Sequence, residues 1–224
     1  MKRLGVFGGT FDPVHWGHLT PALHACRVFD FDALLFVPAG RPPHKAGETI
    51  TPFVHRFAML ALATHHLDRV TVSDVELEFD GPTFTIDVLA RLRRRHNPRE
   101  LFFLLGSDSL AQITTWHRWR ELVDQVHLVV LHRPGFWGAD LAALLPPTLH
   151  GRSEGVREGE VTPTSRGCPA VYLLEHEPVD ACATELRRRV AAGGPIGDTV
   201  PEDVAHYVAK YGLYREGEGT HRGR

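Results

Sequence analysis

One short stretch narrows the folds open to this chain more than any other: Gly8-Gly9-Thr10-Phe11-Asp12-Pro13-Val14-His15-Trp16-Gly17-His18. The apolar run before it, Leu4-Gly5-Val6-Phe7, reads as a short buried strand. After it, Leu19, Ala22, Leu23, Ala25, Cys26 and Phe29 recur at helical spacing. The stretch is therefore a strand-to-helix turn. Gly8 and Gly9 at the strand end let a ligand approach the backbone closely. Pro13 stiffens the turn. The helix starting near Gly17 offers free N–H groups and a positive dipole end, which favour phosphate. His15 and His18 are three apart and can face one side of the first helical turn. There they can donate hydrogen bonds to phosphate oxygens and to negative charge developing on them. Gly-Lys-Ser/Thr is missing, so this is not a Walker loop, nor is it the dinucleotide fingerprint.

At 224 residues the chain suits one α/β domain, with or without an insertion. A net charge of −2 removes global basicity as a sign of nucleic-acid binding, and no nucleic-acid partner is expected. Cys26, Cys168 and Cys182 are scattered without metal or disulfide spacing, which favours a reducing compartment. The N-terminus does not read as a signal peptide, and no apolar run is long enough to span a membrane. A cytoplasmic location is the expectation.

Residues 33–38 read as a second buried strand, completing a right-handed βαβ unit with parallel strands. A loop over 39–52 follows, held extended by Pro42 and Pro43 and positively tipped by His44 and Lys45. Residues 53–65 suit an amphipathic helix and 70–79 a strand. Residues 83–95 suit another helix, with Thr83 or Thr85 as N-cap. A buried strand at 101–105 runs into Gly106-Ser107-Asp108-Ser109. Ligands gather at strand carboxyl ends in a doubly wound sheet, which places this turn beside the first. Asp108 can cap a helix, or accept hydrogen bonds from a ribose or an amine. Of Trp116 and Trp119, the latter is the better core residue.

Further strands are expected at 126–131 and 171–174. Residues 136–170, rich in Gly, Pro, Ser and charge, read as an insertion or flap with one short helical candidate at 140–145. A helix capped by Thr184 ends at Gly193-Gly194, and a last helix starts at Pro201 and stops at Gly212. The expected architecture is a single Rossmann-like, doubly wound, mostly parallel α/β domain over residues 1–214. A disordered tail at 215–224 is expected beyond it.

The segment GGTFDPxHxGH looks like the HxGH signature of the nucleotidyltransferase superfamily. It resembles the bacterial nicotinate-nucleotide adenylyltransferases in particular. Pro42-Pro43-His44-Lys45, Gly106-Ser107-Asp108-Ser109-Leu110, Trp116 and the closing Val200-to-Tyr214 segment extend the resemblance over about residues 2–135 and 171–214. It implies adenylyl transfer from ATP to nicotinate mononucleotide, giving nicotinate adenine dinucleotide and pyrophosphate, with Mg²⁺ carried on the ATP phosphates.

On that resemblance His15, His18, Lys45 and Arg187 are the catalytic set. His15 and His18 meet the transferred phosphate, while Lys45 and Arg187 neutralise the β- and γ-phosphates. Gly8, Gly9, Thr10, Phe11, Gly106, Asp108 and Thr184 complete the ATP site. Asp12, His44, Thr85, Trp116 and Arg133 join Lys45 around the mononucleotide. Thr85 would meet the nicotinate carboxylate, Trp116 would stack on the pyridine ring, and Arg133 would touch phosphate. Cys182 and Ala183 stand where the family pattern has two serines, and Phe84 where it has a tyrosine. The alternatives are nicotinamide mononucleotide or another phosphorylated acceptor, and a nucleotide sensor without turnover.

Overall fold

Seven parallel strands form the centre of the molecule. The computed structural model describes residues 1–41, 49–132, 143–158, 169–177 and 179–215. In chain order the elements are β1 (Arg3–Gly9), α1 (Trp16–Val28), β2 (Ala33–Pro38), α2 (Phe53–Thr64), β3 (Val70–Val72) and α3 (Thr85–His96). Next come β4 (Glu100–Gly106), α4 (Ser107–Ala111), α5 (Trp119–Gln125), β5 (His127–Leu131), β6 (Ser153–Val156), β7 (Val171–Leu174), α6 (Ala183–Ala191) and α7 (Glu202–Lys210). The sheet order is β3-β2-β1-β4-β5-β7-β6, and every pairing is parallel.

Alternation along the strands builds two cores, one on each face, as a sheet covered on both sides requires. Phe7, Phe36, Phe102 and Leu104 point to one face, where Leu19, Met59, Leu60, Leu186 and Val204 of α1, α2, α6 and α7 cover them. Leu4, Val6, Leu35, Val37, Phe103 and Leu105 point to the other, under Ile86, Leu89, Leu92 and Leu122 of α3 and α5. The chain runs outward from β1 to β3 and then restarts at β4, on the other side of β1. The carboxyl ends of β1 and β4, at Gly9 and Gly106, therefore flank the switch point where this topology opens a crevice.

Four expectations need correction. The third strand stops at Val72, and Val75–Glu78 forms a 3₁₀ turn. The apolar spacing lengthens from two to three after Val72, which buries Val75 in the second core and leaves Leu77 exposed. Neither Thr83 nor Thr85 caps α3: Phe84 is the N-cap, and the Thr83 hydroxyl donates instead to the Glu76 carboxylate. Cys182, not Thr184, occupies the N-cap of α6. Residues 153–156 lie within the stretch read as insertion or flap, yet they form the edge strand β6, paired with β7. Residues 216–224 of the expected tail, and 140–142 of the short helical candidate, lie outside the described residues. No helix among the described residues is long and apolar enough to cross a membrane.

Candidate active site

The turn after β1 carries the arrangement its residues led us to expect. His15 is the extended N-cap residue of α1, with φ −149° and ψ 171°. Its carbonyl accepts from the N–H groups of His18 (2.8 Å) and Leu19 (3.1 Å). This short helical turn brings the two imidazoles together, with centroids 3.8 Å apart and planes inclined by 31°. Gly17 makes room for them: a Cβ there would lie 3.0 Å from the His15 ring. The Phe11 ring meets His18 edge-on at 5.0 Å. It also lies so near Gly9 that a Cβ there would approach within 2.9 Å. Phe11 itself sits at φ 51°, in the left-handed region.

Asp12 is buried and fully engaged. Its Oδ1 accepts from the Tyr214 hydroxyl at 2.7 Å, and its Oδ2 from the Thr51 N–H at 3.1 Å. Its backbone carbonyl accepts from Arg187 Nη1 at 2.7 Å. The peptide bond from Asp12 to Pro13 is cis. Burial first, and the Asp12 charge second, push the Tyr214 phenol up, so it remains a donor at any physiological pH. Arg187 also donates from Nη2 to the Thr184 hydroxyl at 3.3 Å, so α6 brings both residues to the turn.

A second buried group organises the same region. Arg56 of α2 is only 2% exposed. Its guanidinium donates to three carbonyls: Thr51 at 2.7 Å, Thr10 at 2.8 Å and Ala39 at 2.7 Å. Burial lowers its pKa from the ordinary arginine value, while the Asp12 and Glu76 carboxylates oppose that. The Ala39 N–H also donates to the Gly9 carbonyl at 2.8 Å. The Gly40 N–H donates to the Glu76 carboxylate at 3.0 Å. One cation thus ties the first turn to the exit of β2 and the entry to α2.

The other side of the switch point is built by β4 and α3. Gly106 is the N-cap of α4, and Asp108 is exposed in the first turn of that helix, where a carboxylate favours the dipole. Asp108 is therefore not the cap. Trp119 is buried, as expected, whereas Trp116 is only partly covered and meets Phe103 edge-on at 6.1 Å. The Phe84 and His117 rings lie 4.2 Å apart. That contact brings Thr85 and Trp116, their chain neighbours, to one locality. His44, Lys45 and Arg133 lie outside the described residues.

A family model described as cytidylyltransferase-like matches residues 6–189. A probable nicotinate-nucleotide adenylyltransferase of Thermomicrobium roseum is 40% identical over 215 residues, covering 96% of this chain and 92% of that one. The chain belongs to the nicotinate-nucleotide adenylyltransferase family. A second family member, the probable nicotinate-nucleotide adenylyltransferase of Symbiobacterium thermophilum, is 38% identical and covers 97% of this chain and 98% of its own. The fold is that of the Plasmodium falciparum nicotinic acid mononucleotide adenylyltransferase complexed with NaAD. That structure has a TM-score of 0.71 at 20% identity, over 96% of this chain and 98% of that one.

Arg56 and Tyr214 escaped the reading of the sequence as site residues. Arg56 did leave a signal. It lies three and four residues before Met59 and Leu60, on the apolar face of α2, where an unpaired charge would be costly. Tyr214 ends the closing segment that carries the family resemblance, but nothing local names its partner, which is 202 residues away.

Proposed function

We propose that this chain transfers the adenylyl group of ATP to nicotinate mononucleotide, forming nicotinate adenine dinucleotide and releasing pyrophosphate. The mononucleotide phosphate attacks the α-phosphorus of ATP. The P–O bond to the β-phosphate breaks, and the electron pair leaves with pyrophosphate. The nucleophile is already anionic at neutral pH, so a strong base is unnecessary. The obstacle is bringing two anions into line, which calls for alignment and charge neutralisation.

The observation that carries this reading is the close, tilted His15–His18 pair at the mouth of β1, beside the switch point, in a chain of this family. His15 and His18 both serve the transferred phosphate, His18 mostly through the α-phosphate of ATP. The positive dipole end of α1 and the Arg187 guanidinium add favourable charge for phosphate on the same side. Gly106 and Asp108 take the adenosine portion. Thr85 and Trp116 take the nicotinate ring, the second by stacking. His44, Lys45 and Arg133 are assigned to the phosphates by the sequence alone. ATP enters as its Mg²⁺ salt. Both oxygens of Asp12 are already committed to Tyr214 and Thr51, and the donors of the turn suit anions, so the ion is held by the phosphates.

Pyrophosphate release tests the assignment when ATP is paired in turn with nicotinate mononucleotide, nicotinamide mononucleotide and phosphopantetheine. Faster release with the nicotinate form is the expected result. Equal or faster release with either of the others would reassign the acceptor, and no release with any of them would leave a nucleotide sensor.

A further inference from the structure

The turn that follows α7 bears no reactive group, yet it reaches the segment that carries the histidine pair. Beyond α7 the backbone reverses, with Gly212 at φ 61° and Tyr214 at φ 66°. A non-glycine residue stays in the left-handed region only where its surroundings hold it there. What holds Tyr214 is Asp12, whose Oδ1 accepts a hydrogen bond from its hydroxyl, O···O 2.7 Å. The opposite end of this contact is just as constrained. Phe11, the neighbour of Asp12, is left-handed at φ 51° and presses edge-on against His18.

We propose that Tyr214 is a positioning residue for adenylyl transfer. Through Asp12 it sets the Phe11 ring against His18, so the segment following α7 forms part of the working site. The proposal rests on the reading that His15 and His18 meet the reacting phosphates. Three anchors converge on residues 10–12 from distant segments: Tyr214 on the Asp12 carboxylate, Arg187 on its carbonyl and Arg56 on the carbonyl of Thr10. Two of these are cations that can also serve the anionic ligands or the fold. Tyr214 is partly buried and its phenol stays protonated, with its hydroxyl donating to Asp12. Its contribution to rate is therefore geometric. An imidazole displaced by a fraction of an ångström still binds phosphate but misses the in-line arrangement.

The test compares the full-length protein with Tyr214→Phe, Asp12→Asn, the double variant and His18→Ala, measuring kcat, KM for ATP and nicotinate mononucleotide, and Tm. Tyr214→Phe keeps the ring and removes only the hydroxyl. It is expected to lower kcat about tenfold, the rate equivalent of one hydrogen bond to a charged group, with both KM values within about twofold. The double variant is expected to be no slower than Asp12→Asn alone, because Tyr214 acts only through that carboxylate. An unchanged kcat in Tyr214→Phe, or a double variant slowed by the product of the two single effects, overturns the proposal. A kcat loss that merely follows a fall in Tm overturns it as well, since it makes the role structural. His18→Ala reads the site assignment separately: if it keeps turnover, the reading of the histidines fails whatever Tyr214→Phe shows.

Discussion

Arg187 Nη1 lies 2.7 Å from the backbone carbonyl oxygen of Asp12, joining α6 to a turn 175 residues earlier in the chain. The same guanidinium touches Thr184 and is only half-buried, which leaves donors for a ligand. Lysine cannot reproduce this fork. Arg187→Lys is expected to lower kcat/KM for ATP on the order of tenfold or more, with a melting temperature close to that of the parent. Steady-state kinetics alongside calorimetry checks both parts.

His18→Ala is expected to reduce turnover on the order of a hundredfold, the usual cost of one donor to developing charge. The helix backbone keeps its bond to the His15 carbonyl, so circular dichroism should be unaltered. Near-normal turnover would remove His18 from the reaction.

Gly17 offers a sharper case, because helix propensity and site geometry disagree about it. Alanine in place of a helical glycine ordinarily stabilises by about 1 kcal/mol. Here the new Cβ would lie 3.0 Å from the His15 ring, whose other neighbour is the tilted His18 ring with its centroid 3.8 Å away. Gly17→Ala is expected to lower kcat about tenfold, and crowding against His15 and against Ala181 at 3.2 Å is expected to cancel the usual gain in stability. Single-turnover kinetics and urea unfolding on the same preparation measure the two effects.

Arg56→Met is expected to destabilise the protein on the order of 3–5 kcal/mol, because the carbonyls of Thr10, Ala39 and Thr51 lose their common donor. Arg56→Lys presents one ammonium to three divergent carbonyls and should recover less than half of that loss. Urea titration with a constant m-value gives the comparison.

Four histidines set a pH dependence of stability. Burial pulls the pKa of His96, His127, His132 and His176 below the ordinary value, so the folded protein holds them neutral. His176 shows how: its Nε2 accepts from the His132 N–H at 3.0 Å, so its Nδ1 carries the proton donated to the Glu177 carbonyl at 2.9 Å. Below the unfolded value of about 6.5 the unfolded chain binds more protons than the folded one. Stability is therefore fully present above that pH and is lost as pH falls below it. Unfolding free energies between about pH 5 and pH 7 should show the slope. His176→Gln keeps an acceptor for the His132 N–H but no titrating group, and is expected to make the slope shallower.

Strands β1, β2, β4, β5 and β7 and helices α1, α2, α3, α6 and α7 were legible from the residues alone, because periodicity is written within each dozen residues. Ala33–Pro38 and Val171–Leu174 form as strands over the spans their apolar runs indicated. So was the turn bearing His15 and His18, since a three-residue spacing at a helix start permits few arrangements. Tertiary structure alone decided where β3 ends, that Phe84 and Cys182 rather than the neighbouring threonines begin their helices, and that residues 153–156 complete the sheet. It also decided that Asp12 spends its carboxylate on Tyr214 and Thr51, and that Arg56 binds three carbonyls from separate loops. The reason is one of range. Local propensity and pattern act over a few residues, whereas a polar group is assigned its partner by whichever segments the packed cores bring within 3 Å of it, however far apart they lie along the chain.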